Sequence, residues 1–428
     1  MGRPVAGESR RGLEWHYAWV VVAVTFATIL VGAGIRYAPG VLIVPLENEF
    51  GWSRASISLA VSIGLFVFGL SGPVGGALMD RYGPRLVMIG GICVTVAGLF
   101  PLLLVKELWQ FYFFWGLVTG LGTGALSGSV GNIVAARWFK AHRGMVMGVF
   151  ASATSMGQLI FIPSLLGLSL SSGWRSAVVV LTVIGAFMLF PVILFMRNNP
   201  SDKGLRAFGD DGSAVTAAQR LEDTRQTPMR VAIKRREFWL LAGSLFICGY
   251  TTTGLMTTHL IPFSLERGFD EVTTAGTMGL MGAMNMAGTL ISGWLTDRYD
   301  NRKLLALTYF TRALSLIALL FIVSAPQLLI FAVVYGLDWI ASGPPSANLV
   351  ATIFGKASLG TIYGWIFFAH MVGASIAAYA AGLLHGLMGS YNVVFMSAAL
   401  LLFASSVFAL NLRTPARPSP ALATEAVR

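Results

Sequence analysis

The chain has 428 residues, 55% of them hydrophobic and only 11% charged, with a mean hydropathy of +0.72. Ordinary soluble domains carry roughly 25% charge, so the composition excludes a soluble globular fold and requires a polytopic membrane protein. The net charge of +11 is a topology signal and not a nucleic-acid footprint: 24 of the 30 Lys and Arg fall in the tails and alternate loops of one side, against four (Arg54, Lys106, Arg175, Arg267) on the other, and such an excess marks the cytoplasmic face.

Twelve apolar segments follow in chain order, each long enough to cross roughly 30 Å of hydrocarbon at 1.5 Å per residue. They lie near 17–46, 56–79, 85–105, 108–136, 143–170, 175–196, 238–264, 273–296, 304–324, 327–353, 358–386 and 391–412. A tail, 1–16, precedes the first, which is about twice the length of a signal-peptide core and has no small-residue cleavage site after it. Two six-helix bundles, 17–197 and 237–413, flank a polar linker, 198–236, that holds Asp202, Asp210, Asp211, Glu222 and Asp223 among its basic residues, with a short surface helix expected near 214–235. The tail 414–428, with Pro415, Pro418 and Pro420, is expected to be disordered. Both termini are placed in the cytoplasm. Cys93 and Cys248 sit inside apolar runs and are expected to be small buried hydrophobes, with no disulfide or metal pairing implied.

The two bundles repeat each other. Gly76, Asp80, Arg81 and Tyr82 recur as Gly293, Asp297, Arg298 and Tyr299 at a shift of 217, and Gly144, Gly148, Gly157 and Asn132 recur as Gly360, Gly364, Gly373 and Asn348 at a shift of 216. A half-chain repeat written in spanning helices gives two bundles related by a pseudo-two-fold axis, the architecture of secondary transporters. Small residues at four-residue spacing, as in Gly72-Gly76, Gly116-Gly120-Gly124-Gly128, Gly144-Gly148 and Gly360-Gly364, are read as close helix packing.

Between the second and third spans stands Gly76-Ala-Leu-Met-Asp80-Arg81-Tyr82-Gly83-Pro84-Arg85. It resembles the signature loop of the major facilitator superfamily, and its copy from Gly293 to Arg302 stands where that family's second half would have one. The resemblance implies an all-α membrane fold of twelve transmembrane helices in two pseudo-symmetric bundles, working by alternating access around a solvent-filled chamber between the halves. It also implies that the loop carboxylate pairs with Arg137, so that Asp80, Arg81, Arg85, Arg137, Asp297 and Arg298 form a conformational latch on the cytoplasmic side, the competing reading being a static topology anchor.

Trp15-His-Tyr-Ala-Trp19 and Trp138-Phe139-Lys-Ala-His-Arg143-Gly144 are similar to the signature stretches of monocarboxylate transporters and their bacterial, oxalate–formate antiporter-like relatives. That similarity implies a small carboxylate solute, moved by proton symport or exchange. One departure counts against carrying it over whole: those transporters hold an aspartate and, four residues on, an arginine in the eighth span, where this chain reads Gly282-Ala-Met-Asn285-Met-Ala-Gly-Thr289.

Three fully charged residues lie well inside spans, Arg36, Arg312 and Asp338, and each costs at least roughly 2.5–3.5 kcal/mol to insert. Arg36 is expected to receive the solute carboxylate, with Tyr37, Asn285, Asp338 and His370 completing the site. Asp338 is expected to be the proton-coupling group, the alternative being a permanent pair with Arg36 or Arg312. No catalytic residues, cofactor or metal are implied, and the chain has no G-x-x-x-x-G-K-S/T loop, so it is no ATP-driven pump and no enzyme. The expected partners are a small-molecule solute, protons and the lipid bilayer of a bacterial cell inner membrane, with a monomer sufficient for function. Efflux of an amphipathic compound and a non-transporting sensor are the competing functions.

Overall fold

The computed structural model describes residues 16–140, 142–209, 227–355 and 358–414, apart from the side chains of Pro73, Asp80, Gly128 and Ser129. Twelve helical spans result: α1 Ala18–Phe50, α2 Arg54–Tyr82, α3 Pro84–Leu102, α4 Leu108–Trp138, α5 Arg143–Ser172, α6 Trp174–Phe195, α7 Arg236–Glu266, α8 Glu271–Thr296, α9 Asn301–Leu319, α10 Ala325–Phe354, α11 Leu359–Met388 and α12 Asn392–Leu410. Ten of these are long and apolar enough to cross a membrane. The other two, α8 and α9, are helices of 26 and 19 residues with more polar composition, and α9 carries Arg302, Lys303 and Arg312. Among the described residues the β structure is a single bridge, Phe139 to Phe208.

Local chemistry sets the helix ends. Ser53, Asp270 and Asp300 cap α2, α8 and α9 by accepting hydrogen bonds from the backbone N–H of Ser56, Thr273 and Arg302 at 3.2, 2.8 and 2.9 Å. The α2–α3 turn needs φ of +81° at Gly83, followed by Pro84 in the first turn of the next helix. Five spans are irregular: α1 breaks at Ala38 before Pro39, α6 breaks at Met188, α4 and α7 each contain a wide π-helical stretch (Tyr112–Thr119 and Tyr250–Met256), and α10 is interrupted between Asp338 and Gly343. Such breaks cluster at functional sites in membrane proteins because freed backbone groups must be satisfied by other protein groups.

The sequence repeat is a structural repeat. A Cβ at Gly157 would sit 2.8 Å from the Leu30 carbonyl oxygen, and the corresponding point on Gly373 falls against the Phe246 carbonyl, 216 residues on in both partners. α5 therefore packs on α1 as α11 packs on α7, through glycines that admit backbone contact where a side chain could not fit. Gly120 packs on Gly64, and Gly336 on Met281, in the same relation.

The bundles meet through α2 with α11 and α5 with α8, but only along half their length. Away from the chain termini the packing is tight. Ser62 and Ser375 hydroxyls lie 2.9 Å apart, the Phe66 and Phe368 rings meet at 5.7 Å, and Gly382 abuts Ser58 while Gly279 and Gly282 abut Pro163 and Leu159. Toward the terminal face, where α1 begins and α12 ends, the same helical stripes continue as Gly72, Gly76, Gly144, Gly148, Gly293, Gly360 and Gly364, and among the described residues no neighbouring helix comes within 4 Å of where a Cβ would be on any of them. The halves thus splay open at the terminal face and close at the far face. This corrects the packing expected of Gly72-Gly76, Gly144-Gly148 and Gly360-Gly364, against which no other described helix packs in this conformation; Gly116, Gly120 and Gly124 do pack, against Ala60, Gly64 and Ser71. Spacing identifies a stripe that can pack, but the rigid-body position of the bundles decides whether it does.

Nearly all of both tails and the middle of the expected linker, 210–226, fall outside the described residues, including Trp15, Asp210, Asp211, Glu222, Asp223 and most of the surface helix expected near 214–235. Of the two cysteines expected to be buried, Cys248 is buried and Cys93 is exposed. The described flanks hold a 3-10 turn at Pro200–Lys203 and a one-turn helix at Met229–Ala232.

Candidate functional site

Arg36 ends the first segment of α1, one residue before the Tyr37–Ala38 break. Its guanidinium stacks over the Tyr37 ring at 4.4 Å and faces the Phe68 ring at 5.4 Å, and no described carboxylate or other hydrogen-bonding group pairs with it. Aromatic faces attract a cation without neutralising it. The guanidinium borders a cavity of about 30 Å³ lined by Pro39 of α1, Val61 and Leu65 of α2, and Trp115 and Thr119 of the π-helical stretch of α4. That space holds about one water, and all of its lining residues belong to the N-terminal bundle. This cavity is therefore not the chamber expected between the halves.

Asp338 stands elsewhere. Its carboxylate lies 3.5 Å from Nε of Arg312, which is fully buried on α9, and it accepts from the Thr311 hydroxyl at 3.3 Å. Nη2 of Arg312 donates to the carbonyl oxygens of Asp338 and Trp339, and Nη1 reaches Cys248 Sγ at 3.1 Å. These carbonyls sit at the interruption of α10, where Pro344 and Pro345 open the next helical segment and the ordinary i to i−4 ladder stops. Ser292 of α8 donates to the Ala341 carbonyl in the same gap. Arg312 therefore acts as a side-chain cap for a broken helix, and Asp338 is its counter-ion; of the pairings left open by sequence, the one with Arg312 is formed.

His370 is held by two bonds, Nδ1 to the Leu245 carbonyl at 3.1 Å and Nε2 to the Thr253 hydroxyl at 3.3 Å, with its ring stacked on Phe367. It braces α11 against the π-helical part of α7. Asn285 is fully buried with its amide nitrogen unpartnered, and Gln158, also fully buried, has neither amide atom partnered. Both flank the α5–α8 seam, where the Leu159 backbone contacts Gly282 one helical turn from Asn285. His259 bonds the Ala378 carbonyl at 2.8 Å and the Tyr391 hydroxyl at 3.0 Å.

At the terminal face the expected latch residues stay within their own bundles. Arg85 donates to the Ile193 carbonyl at 2.7 Å, and Arg137 caps the Met79 carbonyl at 3.1 Å. Arg81 lies over Tyr82, and Arg298 over Trp294 at 4.0 Å. Asp297 is exposed and makes no hydrogen bond or ion pair with a described residue, and the Asp80 side chain is outside the described set. The monocarboxylate-type stretches converge nearby: Trp19 meets Phe139 at 5.4 Å, Tyr17 meets Trp138 at 6.0 Å, and Phe208 of the linker packs on His16, Trp19 and Phe139. They form an aromatic clasp joining the start of α1 to the end of α4.

The far face holds the cluster that sequence reasoning missed. Arg54, at the start of α2, forks onto both carboxylate oxygens of Glu47 at 2.8 and 2.7 Å, and reaches across the bundle boundary to Glu266 of α7, His385 of α11 at 3.4 Å and Tyr391 at 3.2 Å. His385 also meets Glu266, at 3.0 Å. The available signal was the company of carboxylates near a face otherwise poor in cations, Glu47, Glu49 and Glu266; Glu49 pairs with Arg175 at 2.6 Å.

The Major Facilitator Superfamily profile matches residues 24–378 and again 287–427. The chain belongs to that superfamily. Similar proteins include the Bacillus subtilis (strain 168) "Uncharacterized MFS-type transporter YcxA", 25% identical over 383 residues, covering 88% of this chain and 90% of the relative. Monocarboxylate transporter 13 of Bos taurus is 24% identical over 393 residues, covering 91% and 88%, and monocarboxylate transporter 12 of Homo sapiens is 24% identical over 413 residues, covering 91% and 79%. This major facilitator protein is thus a multi-pass membrane transporter, with a small-molecule solute as its cargo.

Proposed function

We propose that the chain carries a small organic anion of the monocarboxylate type by alternating access, with proton symport or solute exchange as the driving reaction. The observation that carries this reading is Arg36: a cation inside a span, stacked on Tyr37 and Phe68, with no described carboxylate to neutralise it. Arg312, by contrast, has Asp338. A span-embedded cation without a fixed partner is costly unless a mobile anion supplies one, and a guanidinium suits a carboxylate through two parallel N–H donors. The names of the relatives from cattle and human support the same solute class, and the unpartnered amides of Asn285 and Gln158 supply neutral donors at the bundle seam.

In this reading the terminal face is cytoplasmic, in a bacterial inner membrane, and the structure stands for the inward-facing state. The vacant glycine stripes of α2, α5, α8 and α11 then close in the outward-facing state, where Asp80, Arg81, Arg85, Arg137, Asp297 and Arg298 latch the loops. The test is uptake of labelled lactate and pyruvate into proteoliposomes with and without an inward proton gradient, wild type against Arg36→Gln. Saturable uptake that the substitution abolishes supports the assignment. Monocarboxylates that neither move nor compete, or an Arg36→Gln protein with unchanged affinity, end it; efflux of amphipathic compounds would then be the better reading.

A further inference from the structure

The far-face cluster contains a conflict at one atom. Nε2 of His385 lies 3.0 Å from a carboxylate oxygen of Glu266 and 3.4 Å from Nη1 of Arg54. A neutral imidazole nitrogen is either a donor or an acceptor. As a donor it suits Glu266 and opposes the Arg54 N–H; as an acceptor it suits Arg54 and opposes the carboxylate. Only one of the two contacts can be a hydrogen bond at a time.

The neighbours that bear on the ring are few and ordered. Arg54 donates to the Tyr391 hydroxyl, whose own proton goes to Nδ1 of His259, because Nε2 of His259 must donate to the Ala378 carbonyl. The Tyr391 ring also packs on His385, with centroids 4.4 Å apart. Glu47 holds Arg54 bidentately, and Arg267 is turned away onto Leu320 and Asn392. Charge then divides by bundle: the N-terminal bundle supplies Arg54 and Glu47, which neutralise each other, and the C-terminal bundle supplies Glu266 with His385. With His385 neutral, Glu266 has no charged partner among the described residues of its own bundle and reaches across to Arg54. With His385 protonated, Glu266 is satisfied within its bundle, and the new imidazolium faces the Arg54 guanidinium as a like charge.

We propose that His385 is a proton-binding site that releases the far-face closure of the transporter. A proton from the far-side solution bonds to the ring nitrogen that carries none in the neutral imidazole, the Glu266–Arg54 attachment across the bundles gives way to Glu266–His385 within one bundle, and the far face opens. Loss of that proton restores the cross-bundle lock. The Glu266 and His385 side chains retain 37% and 16% of their solvent exposure, so the proton has a path. The inference rests on the proton-coupled reading above and places coupling here instead of at Asp338, which is committed to Arg312.

The experiment needs no solute. In a Cys93→Ser background, spin labels on cysteines replacing Leu104 and Val323, exposed far-face positions of the two bundles, report inter-bundle distance by pulsed electron resonance in nanodiscs at about pH 5.5 and about pH 8. The expected result is an open-to-closed ratio about tenfold higher in acid, with His385→Gln closed at both pH values and Glu266→Gln opened at both. Because two variants move in opposite directions, misfolding cannot imitate the pattern. A pH response that survives in His385→Gln, or a Glu266→Gln protein closed like wild type at the higher pH, overturns the proposal. Failure of monocarboxylate uptake would leave this readout intact, so the two proposals fail separately.

Discussion

Substituting Asp338 tests whether it is a counter-ion or a mobile participant in transport. Arg312 is fully buried, and its donors go to two backbone carbonyls, one thiol sulfur and the Asp338 carboxylate, the one full negative charge among them. Breaking a buried pair by removing one partner costs about 3–5 kcal/mol, because the survivor is left as an uncompensated charge. The carbonyls at the α10 break remain as neutral acceptors and the Asp338 side chain keeps 12% exposure, which puts Asp338→Asn at the low end, about 3 kcal/mol. Arg312→Gln added to Asp338→Asn removes the stranded cation while keeping an amide donor for the carbonyls, and should recover about 2 kcal/mol of that loss. Unfolding in mixed detergent–dodecyl sulfate micelles, run as a double-mutant cycle, measures both values. An Asp338→Asn protein within about 0.5 kcal/mol of wild type, or a second substitution that deepens the loss, would refute the counter-ion assignment.

Other consequences are accessible to simpler assays. Ser62→Cys with Ser375→Cys, in the Cys93→Ser background, should form a disulfide on mild oxidation and stop transport, because those hydroxyls lie 2.9 Å apart across the bundles; free turnover of the cross-linked protein would contradict alternating access. Gly382→Val places a branched side chain where a Cβ already sits 2.9 Å from Ser58 Cβ and 3.1 Å from the Arg54 carbonyl, so it should prop the far face open and raise labelling of far-side cysteines. At Asp300, the side-chain hydrogen bond from Arg302 holds the carboxyl below its usual range. Its folded pKa is depressed, so its capping contribution is present above the ordinary carboxyl pKa of about 4 and fades as pH falls below it. Asp300→Ala should cost about 1 kcal/mol at neutral pH and progressively less in acid, measured by unfolding across a pH series.

Much of this transporter was legible in its residue order. Hydrophobic runs set the spans, since the bilayer leaves no other place for twenty apolar residues in succession, and the shift of 216 between Gly157 and Gly373 reappears as the same helix-on-helix contact in both bundles. Arg36 was visible because a lone cation in an apolar run demands a use. What only the tertiary structure decided is which charges meet. Asp338 joins Arg312 because the break in α10 turns its carbonyls toward α9, a consequence of Pro344 and Pro345 that hydropathy smooths over. Glu266 and His385 lie 212 and 331 residues after Arg54 and 119 from each other, on three helices and two bundles, and no local pattern encodes their convergence. Nor does spacing tell whether a glycine stripe is packed or vacant, because sequence periodicity defines a surface on one helix while the relative position of two rigid bundles determines what, if anything, lies against it.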